Sequence, residues 1–210
     1  MERAIKLSPS EAGFVLNRSP RAVNKAVDTG FINRGSRRRG STKRQLGLAE
    51  LRFLKLEERL HKHHLTPVAR DKLYRSLRNG LSRKAGRLDL GPLKVDLTEL
   101  DREIEPRLRR LRRLKELVEQ RSGKEPVIRG TEISVHVIAG LGRGQTVEEI
   151  LEDYPRLSRA QVESAIEYAQ AYPKRGRPYP ARSFRRMLRD LRLHELELER
   201  TQEGPRIIKL

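Results

Sequence analysis

Residues 127–172 read VIRGTEISVHVIAGLGRGQTVEEILEDYPRLSRAQVESAIEYAQAY, and the fold of the C-terminal half follows from this stretch. It contains two capping-box patterns, with hydroxyls at Thr146 and Ser158 and a Glu or Gln three residues later. In a capping box the hydroxyl accepts from an unpaired N–H, and the third side chain reaches back to the cap. The two caps predict a short helix over 147–153 and a longer one that ends at about Tyr172, before a proline.

A third helical pattern, residues 135–141, precedes these two helices. Apolar residues recur at helical spacing and are predicted to close a small core. They are Ile150, Leu151, Val162, Ala165, Ile166 and Ala169. Three short helices with a tight turn before the last predict a helix-turn-helix-like unit.

The same stretch carries a resemblance to a known family. The matching residues are Ile128-Arg129-Gly130-Thr131, Ile133-Ser134-Val135, Val147-Glu148-Glu149-Ile150-Leu151, Tyr154-Pro155 and Leu157. Over these positions the chain resembles a set of small bacterial and archaeal proteins, first catalogued as a domain of unknown function, that are similar to VapB-type antitoxins. The resemblance implies a neighbouring PIN-like ribonuclease toxin, whose active site would be a cluster of acidic residues holding a metal.

Composition favours small cores. Only 36% of the 210 residues are apolar and 4% aromatic, and the mean hydropathy is −0.73, which indicates one large or two small domains with thin cores. The absence of cysteine excludes disulfides and thiolate zinc sites. No stretch reaches the roughly 18 apolar residues of a membrane span, and the start lacks a signal-like apolar region. We expect a cytoplasmic protein without a membrane partner.

The net charge of +19 is unevenly distributed along the chain. Residues 1–90 hold 22 Lys and Arg against 8 Asp and Glu, whereas residues 124–173 hold 5 against 8. Basic surfaces bind polyanions by releasing their counterions. We therefore expect the N-terminal part to bind nucleic acid and the acidic stretch not to.

Residues 8–30 predict an N-terminal helix-turn-helix. Ser8 begins a capping box with proline at the first helical position, Asn17-Arg18 forms a turn, Ser19 caps a second helix, and Gly30 ends it. The basic stretch 31–47 is interpreted as a wing that follows phosphates, with a disordered basic loop as the alternative. The predicted DNA-binding residues are Arg18, Ser19, Arg21, Asn24, Lys25, Arg37, Arg38, Arg39, Lys43 and Arg44. The other interpretation of residues 8–30 is a helical hairpin with a solvated basic face.

The middle of the chain predicts two helices, a strand and a long helix. Alternation over 87–97, interrupted by Gly91-Pro92, indicates a strand that pairs with the wing or with a second copy of the chain. A helical stripe from Thr98 to Arg121 contains Pro106, which implies a kink or two pieces. Three histidines near residue 61 lack further ligands at helical spacing, so no metal site is predicted.

Residues 174–210 are predicted to be an extended C-terminal helix and tail. A lone amphipathic helix followed by an apolar end has little core of its own, so we interpret it as toxin-binding; the alternative is a helix folded back on its own domain. The predicted toxin-binding residues are Phe184, Arg185, Arg186, Met187, Leu188, Leu191, Arg206, Ile207 and Ile208. One arginine among them is expected to enter the acidic pocket of the toxin and displace its metal.

Together these patterns predict a mainly α protein with a small β component. The predicted segments are a winged helix-turn-helix-like DNA-binding domain (1–97), a connecting helix (98–123), a three-helix domain (124–173) and the tail (174–210). No catalytic constellation or cofactor motif is evident, and we expect no enzyme activity and no cofactor. The functional hypothesis is an antitoxin, homodimeric or in a higher hetero-oligomer with its toxin, that inhibits a PIN-like ribonuclease and represses its own operon. The alternatives are a stand-alone DNA-binding regulator and a basic RNA-associated protein.

Overall fold

A computed structural model describes most of the chain and confirms the predicted fold class. The described residues are 5–28, 32, 44–60, 66–79, 86–89, 94–120 and 125–190. Within these ranges the protein is mainly helical, with nine helices and two antiparallel sheets of two strands each. The chain forms two compact units: an N-terminal unit, Met1–Glu116 with Gln170–Pro173, and a C-terminal unit, Leu117–Ala169 with Lys174–Leu210.

The N-terminal unit contains five helices and one hairpin in its described part. They are α1 (Pro9–Leu16), α2 (Pro20–Asp28), α3 (Leu48–Leu60), α4 (Pro67–Arg78), β1 (Arg87–Asp89), β2 (Lys94–Asp96) and α5 (Leu97–Glu116). The predicted capping box at the start of α1 is confirmed: Ser8 N–H donates to a Glu11 carboxylate oxygen at 2.7 Å, and Glu11 N–H donates to the Ser8 hydroxyl at 3.3 Å. Thr66 caps α4 with its hydroxyl alone, which accepts from Ala69 N–H at 3.2 Å.

Helix α5 is the long element on which the N-terminal unit is built. Its buried stripe packs against α1 and α3, and it consists of Leu97, Leu100, Ile104, Leu108, Leu111 and Leu114. The predicted division at Pro106 into two pieces is wrong, because buried residues on both sides of this exposed proline anchor one continuous helix. The predicted continuation to Arg121 is also wrong: the helix ends at Glu116, and Val118 lies in a strand.

The predicted strand over 87–97 requires a correction. It is two short strands, β1 and β2, which pair antiparallel with Leu88 opposite Val95. Strand β1 buries Leu88 and strand β2 buries Val95, as the alternation of apolar and polar residues predicts. Pairing with the wing or with a second copy of the chain stays a prediction, since most of the wing lies outside the described residues.

A bidentate ion pair links α3 to α5. Arg52 donates to the Asp101 carboxylate through Nε at 2.8 Å and through Nη2 at 2.5 Å. The Arg52 side chain is 8% exposed and that of Asp101 26% exposed. A guanidinium buried to this extent needs its carboxylate, because an unpaired buried charge is strongly destabilising.

The C-terminal unit contains four helices and one short sheet in its described part. They are β3 (Val118–Glu119), β4 (Val127–Ile128), α6 (Val135–Leu141), α7 (Val147–Asp153), α8 (Arg159–Ala171) and α9 (Phe184–Asp190). Both predicted capping boxes are confirmed, at Thr146 with Glu149 and at Ser158 with Gln161. Of the predicted core residues, Ile150, Val162 and Ala165 are buried, and Leu151, Ile166 and Ala169 are half-buried. No helix in the described part of the chain combines the length and the apolar character that a membrane crossing requires.

Candidate nucleic-acid interface

The turn between α1 and α2 is tight and fixed by backbone contacts. Asn17 adopts the left-handed conformation at φ 55°, and Arg18 N–H donates to the Gly13 carbonyl at 2.8 Å. A Cβ atom at Gly13 would lie 2.6 Å from the Arg18 carbonyl oxygen, closer than real Cβ atoms approach. The turn of three residues, 17–19, therefore depends on the glycine and sets the crossing of the two helices.

The outward face of helix α2 is hydrophilic and lies opposite the buried Val23. Ser19 accepts from Ala22 N–H at 3.2 Å, which starts the helix, and Val23 is fully buried beneath it. Arg21 and Lys25 are one helical turn apart, and both are exposed. Within the described ranges neither makes an ion pair.

Four other predicted DNA-binding residues already make contacts within the N-terminal unit. Ser19 serves as the cap of α2, and half-buried Arg18 donates through Nη1 to the Leu54 carbonyl at 3.4 Å. Arg44 and Asn24 bond to each other: Arg44 Nη1 donates to Asn24 Oδ1 at 3.0 Å. Four more of the predicted set, Arg37, Arg38, Arg39 and Lys43, lie outside the described residues, as does most of the predicted wing.

Two basic residues of helix α5 contact side chains of α1. The Arg107 guanidinium lies 5.0 Å from the centre of the Phe14 ring, and its Nη2 donates to the Phe14 carbonyl at 2.8 Å. Lys115 pairs with Glu11 at 2.7 Å. Burial by itself raises the pKa of Glu11, but hydrogen bonds to its carboxylate, the strongest of them from Lys115, outweigh it and hold the pKa below its ordinary value. Glu11 therefore stays ionised and keeps the α1 cap intact.

The predicted toxin-binding residues lie on α9 or outside the described residues. Phe184 is 72% exposed and Met187 is 43% exposed, Arg185 is exposed and Leu188 is half-buried. These residues share a short helix that Ser183 caps, with Arg186 N–H donating to the Ser183 hydroxyl at 3.3 Å. Leu191, Arg206, Ile207 and Ile208 are not among the described residues.

Arg186 is enclosed by carboxylates of its own unit. Its guanidinium contacts Glu149 at 3.1 Å, Glu152 at 2.6 Å and Asp153 at 3.3 Å. Asp153 also accepts from the Ser183 hydroxyl at 2.6 Å. The polar side of α9 is thus folded back on α7, as the alternative interpretation of this helix predicted, while Phe184 and Met187 stay exposed.

Glu125 anchors the chain that leads to α9, and no local pattern of residues predicts this role. It pairs with Lys174 and accepts from Tyr179 at 2.8 Å and from Ser134 at 2.9 Å. The hydrogen bond from Lys174, followed by that from Tyr179, lowers the pKa of Glu125 to about 2. Residues 174–190 are therefore held by Glu125 near one end and by the Arg186 contacts near the other.

Comparison with known proteins bears on the C-terminal unit. Residues 118–169 match the family described as "Protein of unknown function (DUF433)". The predicted resemblance to a domain of unknown function is therefore confirmed over these residues. The chain is also 37% identical over 89 residues to an uncharacterized protein, y4eO, of Sinorhizobium fredii. That match covers 40% of each chain, so this protein spans less than half the length of the curated relative. No solved structure matches the chain.

Proposed function

We propose that this protein binds operator DNA through the outward face of α2 and acts as the antitoxin of a PIN-like ribonuclease. The observation that carries the DNA-binding half is a pair of exposed cations, Arg21 and Lys25, that make no ion pair with any described residue and lie on a helix that follows a three-residue turn. A recognition helix presents residues near its N-terminus to base edges in the major groove. Both cations occupy the first two turns of α2.

The dimensions of α2 suit this role. At 1.5 Å per residue its nine residues are about 13 Å long, comparable with the roughly 12 Å width of the major groove. The buried Val23 fixes which side of the helix faces outward. Because residues 1–90 carry a large excess of basic residues, the surrounding surface adds sequence-independent attraction to phosphates.

The DNA-binding half is tested with a double variant, Arg21→Ala with Lys25→Ala. We expect specific duplex binding, measured by fluorescence anisotropy, to be lost. If both cations contact phosphate, the slope of log affinity against log salt falls by about two. The matched control, Lys72→Ala with Arg78→Ala, removes two exposed charges from α4 and should leave specific binding intact. Retained specific binding in the α2 variant would refute the assignment.

The antitoxin half of the proposal is supported by the presentation of α9. Phe184 and Met187 are three residues apart and exposed on a helix whose other side is pinned to α7. An amphipathic helix that binds a groove uses anchors at this spacing. Arg186 is occupied by three carboxylates, so of the two α9 arginines predicted to bind the toxin we assign Arg185 to its acidic pocket.

Expression with the protein encoded by the adjoining frame tests the antitoxin half. Phe184→Asp with Arg185→Glu should abolish co-purification and restore growth arrest, whereas Arg156→Glu, an exposed charge reversal in the turn before α8, should do neither. If the adjoining frame encodes nothing toxic, the antitoxin half fails and a stand-alone transcription regulator remains. Binding to operator half-sites about one helical turn apart would indicate the expected homodimer.

A further inference from the structure

An arginine from another part of the N-terminal unit, Arg44, contacts two side chains on the outward face of α2. Arg44 binds Asp28 through two nitrogens, Nη2 to Oδ1 at 2.7 Å and Nη1 to Oδ2 at 3.3 Å. Its Nη1 also donates to Asn24 Oδ1 at 3.0 Å. Asn24 and Asp28 are one turn apart, so the guanidinium lies along the same face that carries Arg21 and Lys25.

The backbone holds Arg44 in this place. Two residues later, Leu46 forms a β-bridge with Leu7, and the two reciprocal hydrogen bonds are both 2.8 Å long. Leu46 is 1% exposed, so the bridge is anchored in the core just before α1 begins. The Arg44–Asp28 ion pair therefore links α2 to a segment whose backbone the Leu7–Leu46 bridge holds in place.

This arrangement changes what Arg44 can offer to DNA. Its positive charge is paired with the Asp28 carboxylate in a forked, two-point contact. A paired guanidinium releases few counterions when a phosphate approaches, because it is already neutralised. Arg44 is thus poorly suited to the phosphate contact that its basic neighbourhood predicts.

The arrangement also decides which half of the Asn24 amide is available. An asparagine reads adenine with both halves, since it accepts from N6 and donates to N7. Here the accepting oxygen receives the Arg44 hydrogen bond, and the amide NH2 group remains as a pair of donors. Guanine presents two adjacent acceptors, N7 and O6, in the major groove, whereas adenine presents one acceptor beside a donor.

We propose that Arg44 is a positioning residue that turns Asn24 into a hydrogen-bond donor, so that the protein selects guanine over adenine at the base facing Asn24. This inference rests on the proposed binding of DNA by α2 and adds its base preference. Asn24 makes the contact, and Arg44 acts through it.

Selection from a randomised duplex library, followed by sequencing, tests the inference with the full-length chain. Asn24→Ala identifies the position, because base preference should disappear at that position alone. Arg44→Ala with Asp28→Ala leaves the net charge unchanged and frees the Asn24 oxygen. At the identified position this variant should shift the guanine-to-adenine ratio toward adenine by at least about fivefold. Both members of the removed pair are about half exposed, so the fold should persist, and circular dichroism checks it.

The matched control removes a comparable ion pair elsewhere in the same unit. Arg75→Ala with Asp71→Ala deletes an exposed pair on α4, separated by 2.8 Å, and should keep the wild-type preference. The inference is overturned if the Arg44 and Asp28 variant selects the same base as the wild type, or if Asn24→Ala changes no position. A wild-type protein that selects no duplex at all would instead overturn the proposed DNA binding, and this inference with it.

Discussion

Replacing Gly13 with alanine should open the turn on which the proposed interface depends. The new Cβ would lie 2.6 Å from the Arg18 carbonyl oxygen, whereas ordinary contacts begin at about 3.4 Å, so the turn must move by about 0.8 Å. Forcing an extra methyl group into a packed site costs about 1–3 kcal/mol, and the better helix propensity of alanine returns about 0.5–1 kcal/mol. We expect a net loss of up to about 2.5 kcal/mol in the free energy of unfolding.

The displaced carbonyl belongs to the segment that leads into α2, so the helix should move with it. We expect affinity for the selected duplex to fall at least about tenfold, since small misplacements of a binding group are costly. Urea denaturation and fluorescence anisotropy measure the two effects. Gly140→Ala is the matched control: its Cβ would meet Tyr179 Cβ at 2.8 Å in the C-terminal unit, so it should destabilise that unit and leave DNA affinity unchanged. Wild-type stability and affinity in Gly13→Ala would refute this reasoning.

Two further predictions concern charged contacts within each unit. Asp101→Ala should lower the free energy of unfolding by about 3 kcal/mol, because it leaves the nearly buried Arg52 unpaired. Arg52→Met should lower it by less, because the remaining Asp101 is 26% exposed and keeps part of its hydration. Urea denaturation measures both variants, and the reverse order would contradict the prediction. The Glu125 carboxylate should titrate near pH 2 by NMR, and its midpoint should rise toward 4.5 in Lys174→Met, the variant that loses the largest cause of the shift. Because the folded pKa of Glu125 is depressed, the contribution of Glu125 to stability is present above about pH 4.5 and is lost as pH falls toward 2. An unchanged midpoint in Lys174→Met would show that the Lys174 ammonium does not cause the depressed pKa.

Local signals in the sequence were sufficient to place most helices. A hydroxyl followed three residues later by Glu or Gln is a short-range pattern, and the boxes at Ser8, Thr146 and Ser158 all form as predicted. Helix ends were less predictable where no glycine or proline marks them. Val118 continues the apolar spacing of α5, yet the chain leaves the helix at Glu116 and pairs with β4 instead.

The contacts that define the candidate sites could not be read from local patterns. Arg44 is 16 residues from Asp28, and Arg186 is 33 residues from Asp153. Each of these arginines lies in a stretch rich in basic residues, and the composition of that stretch predicts that the arginine is unpaired. Pairing with a distant carboxylate depends on the tertiary fold, and only the structure shows which members of each stretch remain available. Arg21 and Lys25 stay unpaired within the described residues, whereas Arg44 and Arg186 do not.

In the proposed function, α2 is the element that contacts DNA. The most direct test is an NMR titration of the full-length protein with its selected duplex, following every assigned backbone amide. If α2 contacts the duplex, we expect the largest chemical-shift changes over residues 18–28, with little change across residues 127–169. Changes confined to residues 127–169, with the amides of α2 unaffected, would contradict it.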